Sequence, residues 1–266
     1  MRIIESVTTK RSEFRVSYPE KVRFPVSKGS AVLLHGLNNR PEALHEIAAK
    51  LREGGFTTIQ LTLPGHGDHQ ILSAPLRQWV DSSHEALLQG IIHQGTGELL
   101  VVGYSLGGLL ALLALQENPS ITPTRMVLIA PALTLNIPRF ILTLGRIPIV
   151  KHIRIPSMTP NEDRRWCSIP AEWYGELDKG LDKIDYSTIA KREFATSVIV
   201  SSEDEVVSAS ALKDLIAAEG LAKTWKYTEL SPNSLNADSY QHHIINRKTL
   251  GVSGWKNLEE LLLASN

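Results

Sequence analysis

The sequence predicts an α/β fold in which helices flank a mainly parallel, twisted sheet. Short runs rich in Val, Leu and Ile alternate with segments of helical periodicity along most of the 266 residues. The apolar runs are continuous, which is typical of parallel strands that are buried on both faces. Regular alternation of strands and helices places helices on both sides of one sheet.

The predicted elements follow one another in a regular order. Residues 2–9 and 14–19 are expected to form an opening antiparallel pair of strands. Residues 30–36 are a short apolar run that ends in glycine, and residues 40–55 show helical periodicity with a glycine stop. The next strand and its loop cover residues 56–67. Further strands are expected at residues 98–105, 125–132, 196–204 and 224–232, and further helices at residues 74–94, 106–118, 208–220 and 247–265.

One long segment interrupts this alternation. Residues 134–193 contain no clear strand, and prolines recur in them, which keeps any helices short. Because a structureless loop of this length is improbable in a compact domain, we predict an inserted helical cap at 134–193. The core domain then consists of residues 1–133 and 194–266. The front of the cap, residues 137–150, is unusually apolar; it can pack on the core, roof an apolar pocket, or do both.

The composition excludes several classes of function. Lys plus Arg and Asp plus Glu each number 28, so the formal net charge is zero and no global field attracts nucleic acid or an anionic membrane. Cys167 is the only cysteine, which excludes an internal disulfide and disfavours a thiolate metal site. No apolar stretch has the length of a membrane span, and residues 1–14 contain none long enough for a signal peptide. We therefore expect a cytoplasmic protein without stable membrane insertion.

A short motif marks Ser105 as a candidate nucleophile. Gly103, Tyr104, Ser105, Leu106 and Gly107 form a Gly-x-Ser-x-Gly pattern between a predicted strand and a predicted helix. In this context the serine lies on a strained turn that exposes its hydroxyl, and glycines are needed where side chains would collide across the turn. The amino end of the following helix favours developing negative charge. A serine hydroxyl still needs a base and an acid at the same edge of the sheet.

The motifs along the chain resemble those of the α/β-hydrolase superfamily, in particular its bacterial carboxylesterase and monoacylglycerol-lipase-like branch. They run in the family's order through almost the whole chain. The segments that carry the resemblance are LLHGLNN (33–39), LPGHG (63–67), GYSLGG (103–108), SEDEVV (202–207) and YQHHIINRKTLG (240–251). The resemblance implies an α/β-hydrolase fold and a triad in the chain order serine, acid, histidine.

The resemblance also indicates which acid would complete the triad. In the family the acid follows the strand after the cap, and Glu203, Asp204 and Glu205 all lie there. The family pattern has an aspartate shortly before apolar valines, which favours Asp204. The other two carboxylates are then expected to be solvated loop charges.

Two adjacent histidines compete for the role of the base. His242 and His243 follow the last predicted strand, and consecutive residues of an extended loop point in opposite directions. The family spacing has one free residue and then an aliphatic pair after the histidine, and Ile244 and Ile245 match this pattern for His242. His243 is the alternative base, because some relatives place an aliphatic residue directly after the histidine. The histidine that is not the base is expected to be a partly buried structural residue.

The function implied is hydrolysis of a small carboxylic ester through an acyl-enzyme, without a cofactor. The backbone amides of Leu37 and Leu106 would form the oxyanion hole. The apolar cap indicates a short-to-medium aliphatic acyl chain, for instance in a monoacylglycerol-like ester. Thioesterase, acyltransferase and other acyl-transfer activities are alternatives on the same triad, and a non-catalytic ligand-binding protein is a third reading.

The remaining questions from the sequence concern a metal site and the oligomeric state. His66, Asp68 and His69 are spaced closely enough to suggest a metal site, but three ligands within one turn rarely converge on one ion, so we expect no metal. His35 is likewise expected to be an oriented loop residue. The sequence does not fix the oligomeric state, and three cap aromatics can belong to the core, the pocket or an interface: Trp166, Trp173 and Tyr174.

Overall fold

The structure, a computed structural model, describes residues 4–8, 12–19, 27–67, 73–232, 235–236 and 240–264. Within these residues ten strands are present, namely β1 (Ile4–Thr8), β2 (Glu13–Ser17), β3 (Gly29–Leu34), β4 (Phe56–Thr62), β5 (Glu98–Tyr104), β6 (Arg125–Ile129), β7 (Arg154–Pro156), β8 (Ser168–Pro170), β9 (Ala195–Ser201) and β10 (Trp225–Leu230). The α-helices are α1 (His45–Glu53), α2 (Leu76–Gln94), α3 (Leu106–Glu117), α4 (Arg139–Leu144), α5 (Ala171–Lys183), α6 (Tyr186–Ala190), α7 (Ala209–Ala218) and α8 (Arg247–Leu263).

The main sheet contains eight of these strands in the order β1-β2-β4-β3-β5-β6-β9-β10. The opening strands β1 and β2 pair antiparallel, as the sequence predicts, and β2 pairs antiparallel with β4. From β4 to β10 all neighbouring strands of the sheet are parallel. The predicted α/β-hydrolase fold, with its mainly parallel sheet and flanking helices, is confirmed.

The continuous apolar runs of the central strands are explained by burial on both faces of the sheet. All residues of β3 and β6 are buried, as are nearly all of β5. Val32 and Val101 are register partners and belong to the core on the side of α2 and α3. Their neighbours Leu33 and Val102 belong to the core on the other side, with residues of α1 and α8. Alternate side chains of a strand thus fill two separate cores.

The inserted region between β6 and β9 lies outside the main sheet. It contains α4, α5, α6 and a small antiparallel sheet of β7 and β8, although the sequence showed no clear strand there. The three-residue strands are too short to give a periodic signal. Helix α5 packs on α2 and α3, which joins this region to the core. The division into a core and a separate cap stays a prediction.

The apolar front of this region fits both expectations only in part, since Ile137 lines a mainly apolar pocket. Leu142 is buried, but Phe140 is 69% exposed and Ile149 is 88% exposed. Part of the front therefore faces solvent instead of packing on the core or roofing a pocket. None of the described helices is both long and apolar enough to cross a membrane.

The parallel strands place the loops after β3, β5, β9 and β10 at one edge of the sheet. Carboxyl ends of parallel strands meet at the same edge, where open α/β sheets bind ligands. His35 follows β3, Ser105 follows β5, Asp204 follows β9 and His242 follows β10. Residues that are far apart in the sequence are thereby brought together.

Candidate active site

Ser105 occupies a strained turn between β5 and α3. Its φ of 50° lies in the left-handed region that side chains other than glycine rarely adopt. The surrounding backbone holds this conformation: the Ser105 N–H donates to the carbonyl of Ile129, and its carbonyl accepts from the N–H groups of Gly108 and Ala132, all at 3.0 Å. Strain of this kind persists where the surrounding structure imposes it, which is common at functional sites.

The glycines on either side of Ser105 are required by close backbone contacts. A Cβ atom at Gly103 would lie 2.7 Å from the Cα atom of Gly108. At Gly107 it would lie 2.1 Å from the carbonyl oxygen of Leu34. Both distances are far below van der Waals contact, so the turn requires glycine at both positions.

Ser105, His242 and Asp204 form a continuous hydrogen-bonded chain. The Oγ atom of Ser105 lies 2.9 Å from Nε2 of His242. The Nδ1 atom of the same ring lies 3.0 Å and 2.9 Å from the two carboxylate oxygens of Asp204. All three residues are buried, with exposures of 7%, 6% and 5%. A carboxylate at Nδ1 keeps the proton there, which leaves Nε2 free to accept the serine proton.

The carboxylate of Asp204 is oriented by its own loop. Its Oδ1 atom accepts the backbone N–H groups of Val206 at 2.8 Å and Val207 at 2.7 Å. The Asn136 side chain donates to the Asp204 carbonyl at 2.8 Å. The two amides thus orient the carboxyl group, and Asn136 holds the backbone of Asp204.

The two acidic neighbours of Asp204 differ from one another. Glu203 is exposed, and its carboxylate has no hydrogen-bond partner in the described part of the chain. Glu205 is also exposed, but its carboxylate accepts the backbone N–H groups of Gln241 at 3.0 Å and His242 at 2.9 Å. The expectation of a merely solvated charge is therefore wrong for Glu205. No sequence signal could have shown this, because the contact joins two loops.

His243, the alternative base, bonds to other groups than Ser105. Its Nε2 atom lies 2.6 Å from Oδ2 of Asp163 in the inserted region, and its Nδ1 atom lies 3.2 Å from the hydroxyl of Tyr104. His243 is 2% exposed. Burial, together with nearby carboxylates led by Asp204, raises the pKa of Tyr104 well above its usual value, so its hydroxyl keeps its proton. His243 thus links Tyr104, the residue before Ser105, to Asp163 of the inserted region.

Leu37 and Leu106, the expected oxyanion residues, line the same pocket as Ser105. The loop that carries Leu37 is held by Asn38, which has a φ of 59°. The Asn38 side chain donates to the Ser157 hydroxyl and the Trp166 carbonyl, both at 2.7 Å, and accepts the Trp166 N–H at 3.0 Å. The inserted region therefore fixes the conformation of this loop.

The buried histidines of the neighbouring loops are structural. The Nδ1–H group of His35 donates to the Gly36 carbonyl at 2.9 Å, and its Nε2 accepts the N–H of Leu63 at 3.2 Å. His66 Nε2 accepts the Asn38 N–H at 3.0 Å. Burial lowers the pKa of His35 to about 4, and burial together with His35 lowers the pKa of His66 well below its usual value. Both rings are therefore neutral and serve as acceptors for backbone amides.

These hydrogen bonds leave His66 no free nitrogen for a metal ion, since its Nδ1 lies 3.2 Å from the Pro64 carbonyl. Asp68 and His69, the other members of the suggested metal set, lie outside the described residues. In the part of the chain that is described, no group of three or more metal-ligating side chains occurs.

Ser105 and His242 line a mainly apolar pocket of about 640 Å³, a volume that includes its open mouth. Two polar atoms in its lining have no hydrogen-bond partner among the described residues, namely Nδ2 of Asn39 and the hydroxyl of Tyr240. Tyr174 also lines the pocket. Of the other cap aromatics, Trp173 is fully buried and stacks on His66, and the Trp166 indole donates to the Gly65 carbonyl.

Comparisons with known proteins identify the family and the fold. The model of the alpha/beta hydrolase family matches residues 31–224. A soluble variant of monoglyceride lipase from Saccharomyces cerevisiae, solved with a substrate analogue, is 12% identical over 98% of this chain and 94% of its own, with a TM-score of 0.73. No curated protein sequence matches the chain.

Two further solved structures share the fold. A thermostable carboxyl esterase from Bacillus coagulans, solved with glycerol, is 11% identical over 99% of this chain and 97% of its own, with a TM-score of 0.72. The monoacylglycerol lipase from Paleococcus ferrophilus is 15% identical over 99% of both chains, with a TM-score of 0.69. At these identities the likeness is one of fold.

Proposed function

Since the chain belongs to the alpha/beta hydrolase family, we propose that it is a serine hydrolase that cleaves small carboxylic esters. Ser105 is the nucleophile, His242 the base and Asp204 the acid of the triad. The observation that carries this proposal is the hydrogen-bonded chain through both nitrogens of His242, with 2.9 Å to Ser105 Oγ and 2.9 Å to Asp204 Oδ2. No metal or organic cofactor takes part in the proposed reaction.

The reaction begins with attack of Ser105 Oγ on the ester carbonyl carbon while Nε2 of His242 takes the hydroxyl proton. The amides of Leu37 and Leu106 donate to the oxyanion that forms. Loss of one such donor typically costs about 3 kcal/mol of transition-state stabilisation. When the tetrahedral intermediate collapses, the bond to the alcohol breaks and the imidazolium returns its proton to the leaving oxygen.

The acyl-enzyme is then hydrolysed by the same groups. His242 takes a proton from water, the resulting hydroxide attacks the acyl carbon, and the proton is given back to Ser105 as the carboxylic acid leaves. Asp204 keeps the imidazole in the required tautomer and stabilises the imidazolium in both halves of the reaction. Its position next to two backbone amides, at 2.8 Å and 2.7 Å, supports this role because the two hydrogen bonds fix the orientation of the carboxylate.

The pocket supports a particular class of ester. Its mainly apolar lining suits a short-to-medium aliphatic acyl chain. A buried polar atom without a partner typically costs about 1–3 kcal/mol, so the amide of Asn39 and the hydroxyl of Tyr240 favour a substrate that brings oxygen atoms with it. A monoacylglycerol-like ester has both features, an aliphatic chain and a hydroxylated alcohol.

A non-catalytic ligand-binding role is disfavoured by the strain at Ser105. A φ of 50° at a serine costs folding free energy that a binding pocket does not require. Thioesters and acyl transfer use the same triad, and a comparison of substrates separates these activities from ester hydrolysis.

A fluorophosphonate probe tests the proposal. We expect the probe to label the wild-type protein at Ser105 and to leave Ser105→Ala unlabelled, with ester hydrolysis lost in the same variant. A ladder of nitrophenyl esters, matched with thioesters of the same acyl chains, then defines the substrate class. Absence of labelling at neutral pH would refute the hydrolase. If kcat/KM is highest for the acetate ester and falls with every added carbon, the pocket does not favour an aliphatic acyl chain. Faster turnover of thioesters than of the matched esters would show that the protein is a thioesterase.

A further inference from the structure

Glu205 holds the backbone of the candidate catalytic histidine. Its two carboxylate oxygens accept two consecutive N–H groups, Oε1 that of Gln241 at 3.0 Å and Oε2 that of His242 at 2.9 Å. Hydrogen bonds to an ionised acceptor are roughly twice as strong as those between neutral groups. Because the two amides are consecutive, the carboxylate fixes the direction of the peptide that leads into His242.

Residues 240–246 depend on such anchors because they contain no helix or strand. They lie between β10 and α8, and His242 lies five residues before the first residue of α8. Ser201, the last residue of β9, also holds this segment through a hydrogen bond of 3.0 Å between its hydroxyl and the Gln241 side chain. A small rotation of this backbone would move the His242 ring away from Ser105.

We propose that Glu205 is a positioning residue for His242, so that two consecutive carboxylates hold one histidine, Asp204 by its ring and Glu205 by its backbone. The inference rests on the proposed role of the triad. The acid loop is itself a firm support, since Asp204 Oδ1 accepts the amides of Val206 and Val207 on the far side of Glu205. Any movement of the acid loop therefore carries the ring partner and the backbone anchor together, which preserves their relation to His242.

The pair of hydrogen bonds from Glu205 to the amides of Gln241 and His242 has a defined chemical requirement. It needs two acceptor oxygens on a side chain long enough to reach both amides. Aspartate is shorter by one carbon–carbon bond of about 1.5 Å, and glutamine offers only one acceptor oxygen. The expected order of function is therefore Glu above Gln, and Gln above Ala.

Kinetics of three variants test the proposal, with Glu203→Gln as the matched control. Glu203 lies in the same loop and carries the same charge, but its carboxylate bonds to no described residue. For Glu205→Ala we expect kcat to fall about 100-fold, the order of effect of misplacing a catalytic group by about 1 Å, while KM stays within about twofold. Glu205→Gln should show an intermediate loss, and Glu203→Gln should match the wild type.

A spectroscopic measurement makes the result independent of esterase activity. In protein labelled with ¹⁵N-histidine, the Nδ1–H proton between His242 and Asp204 should give a downfield resonance, assigned by its loss in His242→Gln. We expect it to persist in Glu203→Gln and to broaden by exchange with water in Glu205→Ala. If the wild type cleaves no ester but this resonance responds to Glu205 alone, the positioning role holds and the proposed activity fails.

Three outcomes would overturn the positioning role. The first is a wild-type kcat in Glu205→Ala, and the second is an unchanged Nδ1–H resonance in that variant. The third is an equal loss of kcat in Glu203→Gln and Glu205→Gln, which would assign the effect to the charge of the loop.

Discussion

His242 and His243 are consecutive in the chain, yet their rings bond to different parts of the molecule. His242 bonds to Ser105 and Asp204, at 2.9 Å from each. His243 bonds to Asp163 of the inserted region at 2.6 Å and to the Tyr104 hydroxyl at 3.2 Å. Both rings are buried, so neither substitutes for the other without a rearrangement of the loop.

Substitution of each histidine in turn should separate catalysis from stability. We expect His242→Gln to lower kcat by about 10⁶-fold with little effect on folding, as for loss of the base in comparable triads. His243→Gln should keep kcat within a few-fold of wild type. It should lower the free energy of unfolding by about 1–3 kcal/mol, because a buried hydrogen bond to Asp163 is lost. Ester turnover and urea denaturation of both variants measure the two effects, and a large loss of kcat in His243→Gln alone would reverse the assignment.

The fold and the turn at Ser105 could be predicted because they have local signals, whereas Asp204 and His242 were chosen from the resemblance to the family's motifs. Strands such as β3 and β5 are continuous apolar runs, and the glycines around Ser105 report a tight turn that the close contact of Gly107 with Leu34 explains. The bonds of Glu205 and His243 had no such signal, since they depend on which loops meet across 36 and 80 residues of sequence. The roles of the triad residues and the boundaries of the cap stay predictions.

The free energy of unfolding should fall in mild acid because the rings of His35 and His66 are buried in their neutral form. Burial lowers the pKa of His35 to about 4, below the value of about 6.5 expected in the unfolded chain. Between these values the unfolded state binds the proton and the folded state does not, so the stabilisation is complete above pH 6.5 and is lost as the pH falls towards 4. Each such histidine contributes a slope of about 1.4 kcal/mol per pH unit in this window.

The slope is measured by urea unfolding in steps from pH 6.5 to pH 4.5. We expect the slope of His35→Gln to be smaller than that of the wild type by about 1.4 kcal/mol per pH unit, because one proton-linked group is removed. Glutamine retains an acceptor oxygen for the Leu63 amide, which His35 Nε2 accepts at 3.2 Å. Equal slopes in the two proteins would contradict the shifted pKa of His35.

The hydroxyl of Tyr240 should contribute to substrate choice and not to stability. It is buried without a partner among the described residues, so Tyr240→Phe should leave the free energy of unfolding unchanged or raise it by about 1 kcal/mol. We expect the ratio of kcat/KM for a 1-monoacylglycerol over the methyl ester of the same acid to fall by about two- to tenfold. Tyr186→Phe, in a separate cavity, is the control and should keep the wild-type ratio. An unchanged ratio in Tyr240→Phe would remove this hydroxyl from substrate recognition.

Leu135 and Ile137 should limit the length of the acyl chain. They line both the pocket at Ser105 and a second cavity of about 890 Å³, a volume that includes its open mouth. Truncation of Leu135 to Ala should join the two spaces. Since each buried methylene contributes about 0.8 kcal/mol, two further methylenes should gain about tenfold in kcat/KM relative to the wild type.

The same ladder of nitrophenyl esters measures this change. Leu215→Ala is the matched control, because Leu215 lines the second cavity but not the pocket at Ser105. A chain-length profile that moves equally in Leu135→Ala and Leu215→Ala, or in neither, would show that Leu135 does not separate the two spaces.

The hydrogen bonds of the Asn38 side chain to the inserted region restrict how that region can move. One asparagine side chain bonds to Ser157 and twice to the backbone of Trp166, and its left-handed backbone leads directly from Leu37. A hinge motion that lifted residues 157–166 would therefore also disturb the Leu37 amide. We therefore expect a substrate to reach Ser105 without separation of the inserted region, and the Leu37 amide to be in position before the substrate binds.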